Sequence, residues 1–187
     1  MQVDVQKYLD LVENANTLGF FDIESTGFRG DYNSILVGSI KCFYEKNPRT
    51  FKVARPGNDK AVVRQLKDNL EALDVWVTYY GKGFDIPMLN TRLLKWGYKP
   101  VEKRPHLDLY YSLKAHIHTS RKSQAHLLEW LKVPEGKMTV SADVWNEVLA
   151  NPTGEPMQIL VKRCESDVRT LQGLYRRTRH VIEDLKR

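Results

Sequence analysis

Residues 18 to 27 of this chain read Leu-Gly-Phe-Phe-Asp-Ile-Glu-Ser-Thr-Gly, an apolar run that ends in two carboxylates and turn residues. Such a run is typical of a strand that is buried on both faces. Because side chains alternate along a strand, Asp22 and Glu24 share one face with Phe20, and their Cα atoms lie about 7 Å apart. Two ionised carboxylates in apolar surroundings are strongly unfavourable without a compensating cation. The stretch therefore predicts a cation site.

The composition is that of an ordinary globular domain. The 187 residues are 42% hydrophobic and 28% charged, and no apolar run is long enough to span a membrane, so we do not expect a membrane protein. The first residues lack the basic and then apolar order of a secretory signal. With only two cysteines, Cys42 and Cys164, we expect a reducing, cytoplasmic location with neither a disulfide framework nor a zinc site. The net charge of +6 gives weak support for a polyanionic partner.

Hydrophobic periodicity predicts three strands, followed by a helix, a strand, a helix, a strand and further helices. The predicted strands cover residues 18–24, 35–44, 50–54, 75–79 and 106–109. The predicted helices cover residues 59–72, 86–96, 110–116, 124–131 and 156–185, after an N-terminal helix over residues 3–16. This order is typical of an α/β, ribonuclease H-like fold: a five-stranded mixed sheet of three antiparallel strands and then parallel additions, flanked by helices.

A single domain is predicted over residues 1–187. Residues 1–16 are expected to form a covering helix, and residues 156–187 a C-terminal helix. Asp59 is the predicted N-cap of helix 59–72, and Gly97 is predicted to end helix 86–96. The neighbourhood of Trp130 and Trp145 is interpreted as packing.

Two further acids occupy positions where an uncompensated charge is unfavourable. Asp85 follows a buried strand at the start of a helix, where a helix-capping role and a ligand role are both compatible with the pattern. Asp167 falls within the apolar stripe of the last helix, three residues after Cys164. Four carboxylates, Asp22, Glu24, Asp85 and Asp167, suit a phosphoryl-transfer site with two Mg²⁺ or Mn²⁺ ions.

Three stretches resemble the exonuclease motifs of the DEDD, or DnaQ-like, 3′–5′ exonuclease superfamily. Their amino-acid sequences are most similar to those of its YprB-like branch. They are Phe-Phe-Asp-Ile-Glu-Ser-Thr-Gly at residues 20–27, Gly-Lys-Gly-Phe-Asp-Ile-Pro-Met-Leu at residues 81–89 and Cys-Glu-Ser-Asp-Val at residues 164–168. The resemblance runs from Leu18 to Tyr175. It implies that the four acids are the catalytic residues and metal ligands, with Asp22 bridging two ions, and that the substrate is nucleic acid, with single-stranded DNA expected. The segment at residues 106–109 also matches, with its acid near the site but not a principal ligand.

The chain departs from this pattern at the residues that handle the attacking water. Members normally carry a His five residues, or a Tyr four residues, before the last Asp, and here Lys162 and Arg163 take those positions. Tyr80 stands where relatives often have Asn. The role is left to Tyr80, Tyr79, a histidine in the 116–126 region, or the metal site alone.

Candidate substrate-binding residues are polar or basic side chains near the motifs: Thr26, Tyr80, Lys82, Arg121, Lys122 and Arg163. For the basic ones, a solvated surface is the ordinary alternative. Two other functions remain open at this stage. One is a structure-selective endonuclease of the same fold, and the other is a catalytically weak nucleic-acid-binding module, which the missing His or Tyr supports.

Overall fold

The computed structural model describes residues 17–134, 136 and 138–183. The predicted helix over residues 3–16 therefore lies outside the described residues. The described strands are β1 (Leu18–Ser25), β2 (Ile35–Cys42), β3 (Arg49–Lys52), β4 (Val75–Thr78) and β5 (His106–Asp108). The described helices are α1 (Lys60–Glu71), α2 (Asp85–Lys95), α3 (Leu109–His116), α4 (Gln124–Trp130), α5 (Ala142–Ala150) and α6 (Glu155–Glu183).

The five strands form one mixed sheet in the order β3-β2-β1-β4-β5. Strand β1 pairs antiparallel with β2, and β2 pairs antiparallel with β3. Strand β4 runs parallel to β1, and β5 runs parallel to β4. The predicted α/β fold is confirmed. Because β1 and β4 are parallel, their carboxyl ends meet at one edge of the sheet, where ligands bind in open α/β sheets.

Strand β1 is buried on both faces, as its apolar run predicts. Phe21 and Ile23 belong to a core cluster that packs against α1 and α2, while Phe20 belongs to a second cluster with residues of α3, α4 and α6. The register of β1 against β2 shifts between Glu24 and Ser25. Such an irregularity ends regular pairing and redirects neighbouring side chains, and here it follows directly on the second acid.

Asp59 takes the predicted N-cap position of α1. Asp59 precedes α1, but its side chain makes no capping hydrogen bond. Its carboxylate instead accepts from Arg92 Nε at 2.8 Å, from Arg92 Nη2 at 2.9 Å and from Trp96 Nε1 at 2.7 Å. Asp59 and Arg92 are both fully buried, and a buried guanidinium that needs a counter-charge takes precedence over a cap.

The remaining predictions of elements hold with shifted ends and one omission. Helix α2 stops before Gly97, whose φ of 75° favours glycine, as predicted. Helix α5 was not predicted. Trp145 packs against the first core cluster, but the packing role predicted near Trp130 is wrong there, since that side chain is 54% exposed. Among the described helices, none is both long and apolar enough to cross a membrane. The single domain over residues 1–187 stays a prediction.

Candidate active site

A cavity of about 880 Å³ opens at the carboxyl ends of β1 and β4. Its lining includes all four predicted acids, together with Tyr80 and Arg163. A volume of this size is typical of pockets that enclose small ligands or part of a larger one. The sheet edge and helices α2 and α6 thus bring the three sequence motifs to one place.

Three of the acids lie close together. One carboxylate oxygen each from Asp22, Glu24 and Asp167 lies within 4.8 Å of the others. Glu24 and Asp167 are buried and Asp22 is half-buried. Hard carboxylate oxygens in such a group fit Mg²⁺ or Mn²⁺ better than a softer metal. The donor set therefore fits the divalent cation that the opening strand predicts, and we call these three residues the acid cluster.

Asp85 faces the same cavity but is anchored differently. It is the first residue of α2, and its Oδ1 accepts a hydrogen bond from the backbone N–H of Ile23 at 3.2 Å. This bond ties the helix to β1 between the two acids of the strand. Burial, with smaller contributions from the charges of Asp108 and Glu24, raises the pKa of Asp85 to about 7. Its role as a metal ligand stays a prediction.

Arg163 lies directly on the acid cluster. Its Nε donates to Glu24 Oε1 at 2.7 Å and lies 3.9 Å from Asp167 Oδ2. Its guanidinium also lies over the ring of Trp145, 5.6 Å from the ring centre. The residue that stands in the place of the expected Tyr is therefore a half-buried counter-ion of two of the predicted ligands.

Cys164 connects β1 to α6 behind the acid cluster. Its Sγ lies 3.4 Å from the backbone oxygen of Asp22 and 3.9 Å from Asp22 Oδ2. Burial, reinforced by the nearby charges of Asp22 and Glu24, raises the pKa of the Cys164 thiol. The thiol therefore stays protonated and acts as a small packing residue and weak donor.

The loop after β4 is held in a strained shape by Asp108. The Asp108 carboxylate accepts from the backbone N–H of Tyr80 at 2.8 Å and of Lys82 at 2.8 Å, and it caps α3 through Tyr110 N at 3.1 Å. Tyr80 has a φ of 65°, which is uncommon for a residue other than glycine. Strained backbone of this kind concentrates at functional sites. Asp108 therefore organises this loop, whereas the resemblance implies only an acid near the site that is not a principal ligand.

Exposed aromatic rings border the cavity beside this loop. The rings of Tyr80 and Tyr111 stack with centres 5.8 Å apart, and the ring of Tyr110 meets them edge-on at 5.0 Å and 5.2 Å. Tyr80 and Tyr111 are each 44% exposed. We call Tyr80, Tyr110 and Tyr111 the tyrosine rim. The exposed Phe28 and Phe84 also line the cavity, and their rings meet edge-on with centres 5.8 Å apart.

Comparison with known proteins identifies the family. The model of the RNase H superfamily matches residues 19–179, which is most of the chain. The chain belongs to the RNase H superfamily. It is similar to the uncharacterized protein YprB of Bacillus subtilis (strain 168), with 27% identity over 121 residues that cover 62% of this chain and 27% of that protein.

A solved structure shows the same fold. The family B DNA polymerase from the hyperthermophilic archaeon Pyrobaculum calidifontis matches with a TM-score of 0.68 at 21% identity, over 87% of this chain and 24% of the polymerase chain. This RNase H superfamily chain thus spans about a quarter of the length of each of these two proteins.

The candidate substrate residues of this RNase H superfamily domain divide into two groups. Thr26, Tyr80 and Arg163 line the cavity together with the acids. Lys82 and Arg121 are exposed outside that lining, and the ammonium group of Lys122 donates to the carbonyl of Ile117 at 2.7 Å. Lys122 therefore ties down the chain after α3. Substrate binding by all six stays a prediction.

Some lining residues were missed in the sequence. The buried Gln124 at the start of α4 lines the cavity, and so do Asn146 and Leu149 of α5. A signal for α5 was present. Ser141 stands at its N-cap position, and Asp143 lies in its first turn. Gln124 carried no comparable signal, because its burial depends on α6 packing across it.

Proposed function

We propose that this domain is a divalent-metal-dependent nuclease of the DEDD, or DnaQ-like, type that removes nucleotides from the 3′ end of single-stranded nucleic acid. The observation that carries the proposal is the acid cluster: three carboxylates from β1 and α6 within 4.8 Å of one another in the cavity of an RNase H superfamily fold. Asp85, which reaches β1 from α2, completes the set of four acids that the motifs predict.

The acid cluster would hold Mg²⁺ or Mn²⁺. When bound there, a divalent ion would polarise the phosphodiester and lower the pKa of water. The protein's own residues hold the ligands and the neighbouring loop in position. Cys164 and the Asp85–Ile23 hydrogen bond hold β1 in place, and Asp108 fixes the loop that presents Tyr80. Because the ligands sit on a strand and a long helix rather than on loops, their geometry is set by the packed core.

The tyrosine rim supports a single-stranded substrate. Exposed aromatic rings bind unpaired bases by stacking, which is tolerant of sequence. Bases in a duplex are already stacked on their neighbours and do not offer a free face. Tyr80 belongs both to the rim and to the cavity lining, so we expect a strand whose last phosphate reaches the acid cluster to contact the rim. The net charge of +6 favours the same class of partner, and we expect DNA rather than RNA.

Cleavage of single-stranded oligonucleotides tests the proposal. With a 5′ label and Mg²⁺ or Mn²⁺, we expect products that shorten stepwise from the 3′ end. Asp22→Asn and Asp167→Asn should each lower the rate by more than about 10²-fold, because each removes a charged ligand while keeping its size. Asp68→Asn, on the exposed surface of α1, is the matched control and should keep the wild-type rate. Wild-type rates in both cluster variants would refute the site.

Arg163 favours one second candidate, a nucleic-acid-binding domain with weak or no turnover. Its guanidinium lies where the motifs lead us to expect a water-handling Tyr, and it already compensates Glu24. Mn²⁺ binding without cleavage of single- or double-stranded DNA or RNA would favour this candidate. Products cut internally from flaps or junctions would instead indicate a structure-selective endonuclease.

A further inference from the structure

We propose that a groove between the end of α4 and the second half of α6 binds the phosphate backbone of a single strand at a point remote from its 3′ end. Its cations are Lys132, Arg176 and Arg177, and we call it the basic groove. The inference rests on the proposed function, since it takes the ligand to be the strand whose 3′ end enters the cavity. It adds a second contact site to that function, so affinity should depend on strand length.

The basic groove has a volume of about 460 Å³ and shares no lining residue with the active-site cavity. Residues 131–134, after α4, form one wall, and Gly173, Arg176 and Arg177 of α6 form the other. A glycine inside a helix costs about 1 kcal/mol relative to alanine. Here the lack of a side chain at Gly173 leaves the groove open against the backbone of α6.

The cations of the basic groove are available to an outside ligand. Lys132, Arg176 and Arg177 are exposed, and none of the described residues that line the groove is acidic. Within residues 17–134, 136 and 138–183, none of the three cations forms an ion pair. Grouped cations of this kind attract anions, and arginine and lysine are common contacts of backbone phosphates in nucleic acids.

Arg176 is held in place for such a contact. Its guanidinium lies over the ring of Phe43, 5.1 Å from the ring centre. Positive charge is concentrated around it, since burial and then the charges of Arg176 and Arg169 lower the pKa of Lys41. Arg169 is itself paired with Glu165, at 3.6 Å between Nη1 and Oε2, and is less available to an outside anion. A cation that is ordered before binding loses less freedom when the ligand arrives.

The basic groove is too far from the acid cluster for one nucleotide to contact both. Arg176 follows Asp167 by nine residues of α6, which corresponds to about 13–14 Å along the helix and about two and a half turns. The two side chains therefore leave the helix on opposite sides. Helix α4 lies between the two sites as well, because Gln124 at its start lines the cavity and Leu131 after its end lines the groove. Only a strand of several nucleotides can reach from one site to the other.

Binding of strands of different length tests the groove. Fluorescence anisotropy in EDTA, which prevents metal-dependent cleavage, measures the affinity of the 187-residue chain for strands of about 4 and about 30 nucleotides. Arg176→Gln combined with Arg177→Gln should weaken binding of the long strand about 10-fold or more at 0.1 M salt. The slope of log K against log salt should become shallower by about 1.4, or 0.7 for each lost phosphate contact. Binding of the short strand should change less than about twofold.

Two further variants complete the design. Lys132→Gln should make the slope for the long strand shallower by about 0.7, and it tests the groove even if the double arginine variant does not fold. The matched control combines Lys99→Gln with Lys103→Gln, which removes two exposed charges from the loop before β5. This control should bind the long strand with the wild-type slope.

The outcomes separate the groove from the proposed function. Wild-type slopes in the folded groove variants, or an equal loss in the control, would overturn the groove and leave the nuclease intact. An equal loss for the short and long strands would also overturn it, because the contact would then not be remote from the 3′ end. A wild-type chain that neither binds nor cleaves any strand would overturn both proposals.

Discussion

Asp108 shapes the cavity without belonging to the acid cluster. Its buried carboxylate gathers three backbone N–H groups, two from the loop after β4 and one from α3. An ionised carboxylate has about four lone-pair sites, and these three hydrogen bonds use most of them. The distinction between a ligand and a residue that positions a loop can be measured.

Asp108→Asn should reduce stability and leave metal binding little changed. The amide presents N–H to a backbone N–H that needs an acceptor, which costs about 1–3 kcal/mol of unfolding free energy. Urea denaturation measures this cost, and Mn²⁺ titration measures the metal affinity. Asp68→Asn on the exposed face of α1 should change neither quantity. Loss of Mn²⁺ binding with unchanged stability would instead make Asp108 a ligand.

The acids of both elements that carry the acid cluster could be predicted from the sequences of those elements. Strand β1 was predictable, because its apolar run, its alternation and its two acids lie within ten residues. The burial of Asp167 was also predictable, since it lies within the apolar stripe of α6. Each of these signals lies within a short stretch of sequence, so its hydrophobic periodicity can be recognised without knowing the fold.

The partners of buried charges were not predictable in the same way. Arg163 meets Glu24 across 139 positions of the chain, and Arg92 meets Asp59 across 33. Arg92 falls in the apolar stripe of α2, one turn after Met88 and Leu89, but that stripe does not indicate which acid it meets. Asp is a common N-cap residue, but the carboxylate of Asp59 pairs with the distant Arg92 instead of capping the helix. Such pairs depend on how elements pack together, which no short window of sequence contains.

The tyrosine rim belongs to the scale of elements, because it joins the loop after β4 to the first turn of α3. Tyr80→Ala and Tyr111→Ala should each weaken binding of a short single-stranded oligonucleotide by about 1–3 kcal/mol, the typical worth of one stacked base. Fluorescence anisotropy in EDTA measures binding without cleavage. The Phe variants at both positions keep the ring and should bind like wild type.

A control at another exposed ring distinguishes stacking on the rim from nonspecific binding to exposed aromatic side chains. Tyr44→Ala, in the turn after β2, removes an exposed aromatic ring outside the cavity lining and should leave affinity unchanged. Abasic nucleotides at the 3′ end should weaken binding to the wild type more than to Tyr80→Ala. Equal affinity for abasic and normal ends in the wild type would exclude stacking at the rim.

At the scale of the whole molecule, the buried Asp59–Arg92 ion pair connects helices α1 and α2 to strand β2. Asp59, at the start of α1, binds Arg92 of α2 through two hydrogen bonds and accepts from the backbone N–H of Ile35 on β2 at 2.9 Å. Arg92 in turn donates to the carbonyl of Gly30 at 3.0 Å. Removing one member leaves the other charge buried and uncompensated, which is the costly way to break such a pair.

Arg92→Met should therefore lower the free energy of unfolding by about 3–5 kcal/mol, since methionine fills part of the space but leaves Asp59 charged and buried. The matched control is Arg64→Met on the solvent-facing side of α1, where Arg64 Nε and Asp68 Oδ2 lie 3.8 Å apart and the side chains are 66% and 61% exposed. That change should cost less than about 1 kcal/mol. Urea unfolding of both variants decides the matter, provided that the slope against urea concentration stays the same. Equal, small losses in the two variants would mean that the Asp59–Arg92 pair does not hold the two helices to the sheet.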